Sequence, residues 1–269
     1  MRMRIAIAGA VIGTAVGITV GRTVRWWRTW GVDPSEAARP LPGDDLVPAP
    51  TATDSRGITI DAPPEAVWPW LVQMGFGRAG WYSYDRLDMR GKSVDEIVPA
   101  LQSLAVGDLM PMSPEAGFEV KVLEPGRALV LYADTALIER QTAAAADTPS
   151  DVPPGLAASG AFLRQTPQEF VASWAFVLEP LDGGRTRLIE RFRVRFGTSG
   201  PSFRVVGPVM GFGVFVMLQR QMLGIRERAL RTVAMPSLPP VAVEKPARVK
   251  TNGHAPAAVD TEVVAGTAG

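Results

Sequence analysis

The chain has 269 residues and a formal net charge of +1, with 46% hydrophobic and 20% charged residues. This length is enough to bury a substantial core, and the charge balance gives no sign of the concentrated basic face that nucleic-acid binding requires. The chain has no cysteine and one histidine, His254, so it has no disulfides, thiolate nucleophiles or cysteine zinc sites, and histidine acid–base chemistry loses its usual residue. Asp and Glu oxygens could still bind a hard cation, but no Asp-rich loop of EF-hand spacing appears, so we expect no metal and no cofactor.

The N-terminus contains an uncharged, apolar segment over residues 5–21. As a helix it reaches about 25 Å, within the usual range of a single membrane span. Trp26, Trp27 and Trp30 follow with interleaved arginines, a composition typical of a membrane–water interface. The sequence predicts a membrane anchor over residues 1–30 and a single-pass protein of the cell membrane. The basic residues on the two flanks are nearly balanced, so the side of the soluble domain stays undecided.

The same segment has two further interpretations. A cleaved signal peptide has this length, but the segment leads directly into Arg22 and Trp26 instead of a small-residue cleavage site. Glycines recur at every fourth position and form a small-residue ridge, which predicts self-association of the helix, although spans rich in Ala and Gly need not dimerise. These glycines are Gly9, Gly13, Gly17 and Gly21.

Four regions follow the anchor. Residues 31–53 are rich in proline and acids, which predicts an extended linker rather than packed structure. A folded domain is predicted over residues 54–233. Within it, the Ala/Pro/Ser-rich stretch 134–168 is too long for an ordinary connection and is interpreted as a mobile insertion. The tail 234–269 has no periodic pattern and is predicted to be disordered.

The domain begins with a short strand and a helix, and it then alternates strands before a final helix. The sequence Asp61-Ala62-Pro63-Pro64-Glu65 supplies the helix start. Strands are predicted at 55–60, 118–122, 128–132, 170–178 and 186–196, short helices or turns around 82–89 and 94–104, and a long helix over 202–233. In the last strand Glu190 shares a face with apolar residues, which predicts a carboxylate on the packed side. The opposite, solvated face is predicted for Arg187, Arg191, Arg193 and Arg195.

Several segments resemble the SRPBCC superfamily, the START-like proteins that include polyketide cyclase/dehydrase-like and lipid-transfer proteins. They cover most of residues 41–232 and read LPGDDLVP, ITIDAPPEAVWPWLVQMGFGRAGWYSYDRLD, WAFVLEPLDGGRTRLIERFRV and QRQMLGIRERA. The resemblance implies an α+β helix-grip fold, in which a curved antiparallel sheet surrounds a long C-terminal helix and leaves a cavity between them. The motifs do not name a ligand.

Candidate site residues are weighed against plain packing. Glu190 is the sharpest, because an inward carboxylate needs a partner, water or a raised pKa, and its alternative is a structural ion pair. A rim that stacks or hydrogen-bonds a ligand is predicted at Trp81, Tyr82, Tyr84, Asp85 and Arg86, with core packing as the alternative. Further candidates for lining the same space are Trp174 and Met217.

The motif G-x-G-x-x-G at Gly75, Gly77 and Gly80 resembles a dinucleotide fingerprint. That fingerprint requires a preceding strand, whereas here a helix precedes it, so a turn with positive φ is the better interpretation.

Three functions follow from these patterns. The leading hypothesis is a membrane-tethered, non-enzymatic binder of a small hydrophobic ligand such as a lipid, an isoprenoid or a polyketide-like molecule. The second is a cyclase- or dehydratase-like enzyme that uses Glu190 with a tyrosine. The third is a protein-interaction module that recruits partners through the glycine ridge and the insertion 134–168.

Overall fold

A computed structural model describes residues 23–88, 92–145, 169–197 and 203–234. Within these ranges no helix has the length and apolar character to cross a membrane. The predicted anchor segment 5–21, its four glycines and the predicted tail beyond residue 234 lie outside the described residues, so the anchor and the self-association stay predictions.

The described residues form an α+β fold. Its strands are β1 (Ala52–Ile60), β2 (Leu109–Pro111), β3 (Gly117–Glu124), β4 (Ala128–Asp134), β5 (Phe170–Leu181) and β6 (Arg185–Phe196). Its α-helices are α1 (Pro34–Ala38), α2 (Pro64–Val72), α3 (Asp85–Asp88), α4 (Thr135–Ala145) and α5 (Phe203–Ala234), with 3-10 turns at Asp44–Leu46 and Pro99–Leu101. Residues 23–28 are also helical.

The six strands form one antiparallel sheet in the order β1-β6-β5-β4-β3-β2. Helix α5 contacts α2 and β1, and the Trp70 indole N–H of α2 donates to the Thr232 hydroxyl of α5 at 3.2 Å. A core of apolar residues from the inner face of the sheet and from both helices is buried between these layers. The sheet and the C-terminal helix agree with the predicted helix-grip arrangement.

The predicted linker is packed structure. Asp33 caps α1 with a side-chain oxygen that accepts from two backbone N–H groups, and the Glu36 side chain completes a capping box. Leu41 and Val47 are buried, and Leu41 clusters with Val177 and Ile189 on the outer face of the sheet. We call residues 31–47 the outer strap. The prediction of an extended spacer was wrong because the outer face of β5 and β6 carries apolar residues that need a cover.

The strap also overturns the prediction of a solvated arginine face on β6. Arg191 is buried, and its guanidinium pairs with Asp44 at 2.7 Å and donates to the Ser55 hydroxyl and to strap carbonyls. Arg187 forms a two-pronged pair with Glu36. The guanidinium donors therefore bind the strap rather than water. In contrast, Arg195 on the same face is exposed.

The start of the predicted mobile insertion is an ordered helix. Asp134 accepts from the Leu137 N–H at 2.7 Å, and Leu137 is buried against the core. The Gln141 amide both accepts from and donates to the backbone of Gly117, at 2.6 and 3.2 Å. Residues 135–145 thus dock on the sheet, whereas 146–168 lie outside the described residues, and a role of this insertion in recruiting partners stays a prediction.

Two predicted turn regions have these structures. Gly75, Gly77 and Gly80 all have positive φ, and Gly75 and Gly80 form a β-bridge, so the turn interpretation is confirmed. The short helix or turn predicted around 94–104 is the 3-10 turn Pro99–Leu101.

The tryptophans predicted at a membrane interface contact α5. Trp27 is buried with its ring 5.2 Å from that of Phe212, and the Trp30 ring lies 6.3 Å from that of Phe215. Trp26 also contacts Phe215, at 5.4 Å, yet it remains largely exposed. The segment after the predicted span therefore packs on the folded domain.

Candidate functional site

The site is built around two charged side chains that face each other across β1 and β6. The strand register places Arg56 directly opposite Glu190, so both side chains point to the inner face of the sheet. Both are completely buried. Asp54 shares this face two residues before Arg56 and accepts a hydrogen bond from it at 2.9 Å.

Opposite charges alternate from the surface to the interior. Half-exposed Arg28 lies 3.4 Å from Asp54, Asp54 pairs with Arg56, and an Arg56 nitrogen lies 3.8 Å from Glu190 Oε2. The Trp174 indole N–H donates to Glu190 Oε1 at 2.7 Å. Burial raises the pKa of Glu190 above its ordinary value of 4.5, while Arg56 and the Trp174 hydrogen bond act in the opposite direction.

This charge cluster does not use all of its hydrogen-bonding positions. Among the described residues, Arg56 Nε and Nη1 and Glu190 Oε2 have no hydrogen-bond partner. The distance of 3.8 Å between Arg56 Nη1 and Glu190 Oε2 is too long for a hydrogen bond. Buried polar groups without partners cost free energy, and such exceptions in a folded protein call for an explanation.

Aromatic rings surround the charged pair. Trp174 stacks on Trp81 with ring centroids 5.4 Å apart, and it contacts three more rings at 5.0–6.3 Å. These three are Phe118, Phe176 and Phe192. From α5, the Phe215 ring lies 5.7 Å from the Arg56 guanidinium carbon. The site therefore combines an apolar, aromatic wall with one carboxyl group and one guanidinium group.

A second concave site is an open cleft of about 240 Å³ between α5 and residues 82–85 and 92–95. Charged groups dominate its lining, and they are largely paired: Arg220 with Glu227 at 2.8 Å, and Arg228 with Asp95 at 3.0 Å. Tyr82 lines it with a backbone φ of +57°, and the Arg228 guanidinium lies 4.5 Å from the centre of its ring. Burial raises the pKa of Tyr82.

The structure divides the predicted site residues between these places. Trp81, Trp174 and Glu190 meet in the interior, whereas Tyr82 and Asp85 line the cleft. Of the remaining three, Tyr84 and Arg86 are exposed, and the Met217 carbonyl accepts from the Ser83 hydroxyl at 2.8 Å. Their roles in ligand binding stay predictions.

Sequence analysis missed Arg56, Asp54 and Phe215. A signal for Arg56 was present, because Asp54, Arg56, Ile58 and Ile60 alternate along one strand and therefore share a face. An arginine on the same face as buried isoleucines predicts a paired inward charge. The pairing with Glu190 joins residues 134 positions apart, and short-range patterns do not reveal it.

No family model matches the chain, and no curated protein matches it. Among solved structures, the chain is similar to protein MLL2253 from Mesorhizobium loti, with 16% identity over 67% of this chain and 98% of that one and a TM-score of 0.34. It is also similar to CalU16 from Micromonospora echinospora, with 15% identity over 68% and 86% and a TM-score of 0.28. The Zhui aromatase/cyclase from Streptomyces sp. R1128 has 12% identity over 68% and 95% and a TM-score of 0.27. Similarity at this level does not extend to function.

Proposed function

We propose that this protein binds a small, mostly apolar ligand with one polar group, between the N-terminal half of α5 and the sheet. The observation that supports it is a fully buried Arg56–Glu190 pair with open hydrogen-bonding positions inside an aromatic wall. Apolar walls with a few convergent polar groups are typical of small-molecule sites. The resemblance of the sequence favours a lipid, an isoprenoid or a polyketide-like molecule as the ligand class.

The polar groups define what the ligand presents to them. A carbonyl or hydroxyl oxygen accepts from the free Arg56 nitrogens, and a hydroxyl hydrogen is donated to Glu190 Oε2. Hydrogen bonds to charged groups contribute about 1.5–3 kcal/mol each, so one such contact changes affinity roughly 10- to 100-fold. The rings of Trp81, Trp174 and Phe118 contact the apolar part of the ligand.

Entry requires movement, because both charged side chains are sealed from solvent. The N-terminal half of α5 is the part suited to move. It contains Gly207, Pro208, Gly211 and Gly213, and in helix interiors glycine costs about 1 kcal/mol and proline about 3 kcal/mol relative to alanine. Displacement of Phe215 from Arg56 opens the site from this side.

We further propose that residues 5–21 tether the domain to a membrane. This segment is uncharged and apolar, and the first described helical residues, 23–28, follow it directly. A tether of this kind keeps a binder of poorly soluble ligands close to their source.

The test uses the full chain, purified in mild detergent and analysed by mass spectrometry for molecules that co-purify with it. We expect a hydrophobic compound in stoichiometric amount, and at least 10-fold weaker rebinding of that compound by Glu190→Gln. Glu65→Gln is the matched control, because Glu65 is exposed on α2. Equal rebinding by both variants, or no hydrophobic compound in any preparation, would contradict the proposal.

A second candidate function is an enzyme in which Glu190 acts as a general acid. The raised pKa of Glu190 favours it, because a carboxyl group whose pKa lies above its ordinary value holds its proton to a higher pH and can donate it to a bound compound. The predicted tyrosine partner has no such support, since the Tyr132 hydroxyl donates to Asp134 and Tyr82 packs on Trp70. For this function, Glu190→Gln abolishes turnover of a bound compound, and unchanged turnover would exclude it.

A further inference from the structure

Two large aromatic side chains form an exposed surface where residues 23–28 meet α5. Trp26 and Phe212 are 54% and 44% exposed, and Val214, on the same half of α5, is 45% exposed. The rings of Trp26 and Phe212 both contact buried Phe215, at 5.4 and 6.0 Å, so they belong to one continuous patch. We call Trp26 and Phe212 the aromatic face.

Ordinary solvent exposure does not explain the aromatic face. Single exposed apolar residues are common, whereas contiguous exposed apolar patches mark sites of interaction. The stretch 205–219 of α5, which includes Phe212, has no charged residue in 15 consecutive positions. The surface therefore calls for an apolar cover.

The chain around the face points to lipid as that cover. The apolar segment 5–21 ends five residues before Trp26, so a tethered domain holds this face next to the bilayer. Tryptophan is enriched at membrane interfaces, because its ring is apolar and its N–H finds polar partners there. Exposed Arg25 in the same helical segment supplies positive charge toward anionic headgroups.

We propose that the aromatic face docks on the surface of a lipid bilayer and places the N-terminal half of α5 among the headgroups. This interaction goes beyond the tether, because the folded domain itself contacts lipid in one orientation. A consequence rests on the proposed ligand site: Phe215 lies both under the face and over Arg56, so ligand enters from the bilayer.

The absence of cysteine allows a direct test by site-specific labelling. Val214→Cys is labelled with an environment-sensitive fluorophore in the full chain, which is reconstituted into vesicles of phosphatidylcholine and phosphatidylglycerol. Val106→Cys is the matched control, because Val106 is also valine and is 62% exposed. It precedes β2, the strand at the opposite edge of the sheet from β1.

We expect emission at position 214 to shift to the blue and to be quenched several-fold more strongly than at position 106 by lipids with a nitroxide headgroup. Equal quenching at both positions would overturn the docking. A label that is shielded but not quenched by the nitroxide lipid would also overturn it, and would assign the face to a second copy or to another segment of this chain.

Vesicle flotation and ligand analysis separate this proposal from the others. A chain that floats while its label at position 214 stays in water overturns only the docking face. A chain that does not float overturns both the docking and the tether. Ligand that still co-purifies in either case leaves the proposed ligand site intact.

Discussion

At the residue scale, the interior is organised by a short series of alternating charges. Asp54, Arg56 and Glu190 place two carboxylates around one buried guanidinium, and Trp174 adds a neutral donor to Glu190. Burial of such groups is costly unless each is paired, and the pairing here is incomplete. Glu190 and its partners therefore dominate both the stability of the interior and its capacity to bind a polar group.

Glu190 makes stability depend on pH in a defined direction. Because its pKa in the folded state is raised above the ordinary 4.5, its contribution is fully present below that value and is lost as pH rises through the raised pKa. In urea unfolding from about pH 4 to about pH 8, we expect the stability of the wild type relative to Glu190→Gln to fall by up to about 1.4 kcal/mol per pH unit within this window. Parallel curves for the two proteins would contradict the raised pKa, and Glu65→Gln serves as the exposed control.

The Trp174 hydrogen bond to Glu190 has a matched counterpart elsewhere. Trp174→Phe removes the N–H that donates to a carboxylate, whereas Trp70→Phe removes one that donates to the Thr232 hydroxyl; both rings are buried. Since hydrogen bonds to charged groups are stronger, we expect a loss of about 1.5–3 kcal/mol for the hydrogen bond of Trp174 and about 0.5–1.5 kcal/mol for that of Trp70. Urea denaturation measures both, and an equal loss would indicate that Glu190 is protonated in the folded protein.

At the scale of elements, helix α5 has two different halves. The C-terminal half carries Met222, Ile225 and Ala229, all fully buried in the core. The N-terminal half carries Gly207, Gly211, Gly213, Pro208 and the Phe212 ring of the aromatic face. Packing holds the C-terminal half in place. The N-terminal half has weak intrinsic helicity and is the part that we propose to open.

Gly224 fixes the C-terminal half at close range. A Cβ at this position would lie 2.1 Å from the Tyr82 carbonyl oxygen, so Gly224→Ala forces α5 away from Tyr82. We expect a loss of about 1–3 kcal/mol or more in the free energy of unfolding. Gly213→Ala on the same helix meets no atom within 4 Å and should stabilise by about 0.5–1 kcal/mol through helix propensity. Thermal denaturation of both variants measures these changes in stability. Equal changes for Gly224→Ala and Gly213→Ala would refute the close contact.

At the scale of the whole molecule, both faces of the sheet are covered. Helices α2 and α5 cover the inner face, and the outer strap covers part of the outer one. The strap also stabilises a residue of the sheet, because Asp44 and strap carbonyls accept the hydrogen bonds of buried Arg191. The folded unit therefore begins well before residue 54.

Chains that begin at different residues test this boundary. A chain from residue 48 keeps all of β1 but loses the strap, whereas chains from residues 23 and 31 keep it. Loss of Leu41 and Val47 from the core costs about 1.5–3 kcal/mol each, and loss of the hydrogen bonds between the Arg191 guanidinium and the strap adds more. We expect the chain from residue 48 to be at least about 5 kcal/mol less stable than the chain from residue 31, enough to unfold most domains. Equal midpoints in urea would show that the strap is dispensable.

The sequence predicted the elements well where a pattern is local. The alternation in β5 and β6, the start of α2 and the long stretch of α5 each follow from the order of neighbouring residues, so their positions agree with the structure to within a few residues. The inward position of Glu190 was also correct, because alternation along a strand fixes which residues share a face.

What the sequence determined by itself was therefore the order of the longer strands and helices and the presence of an inward carboxylate, since these depend on periodicity within single segments, while the helix-grip fold class was implied by the resemblance. Only the tertiary structure decided what meets Glu190 and what covers the arginines of β6. Arg56 reaches Glu190 through pairing of the first strand with the last, and Asp44 reaches Arg191 across 147 residues. Proline and acidic residues predict a spacer when read alone. They form a strap here because an apolar outer face and buried guanidinium groups offer more stabilisation than solvent does.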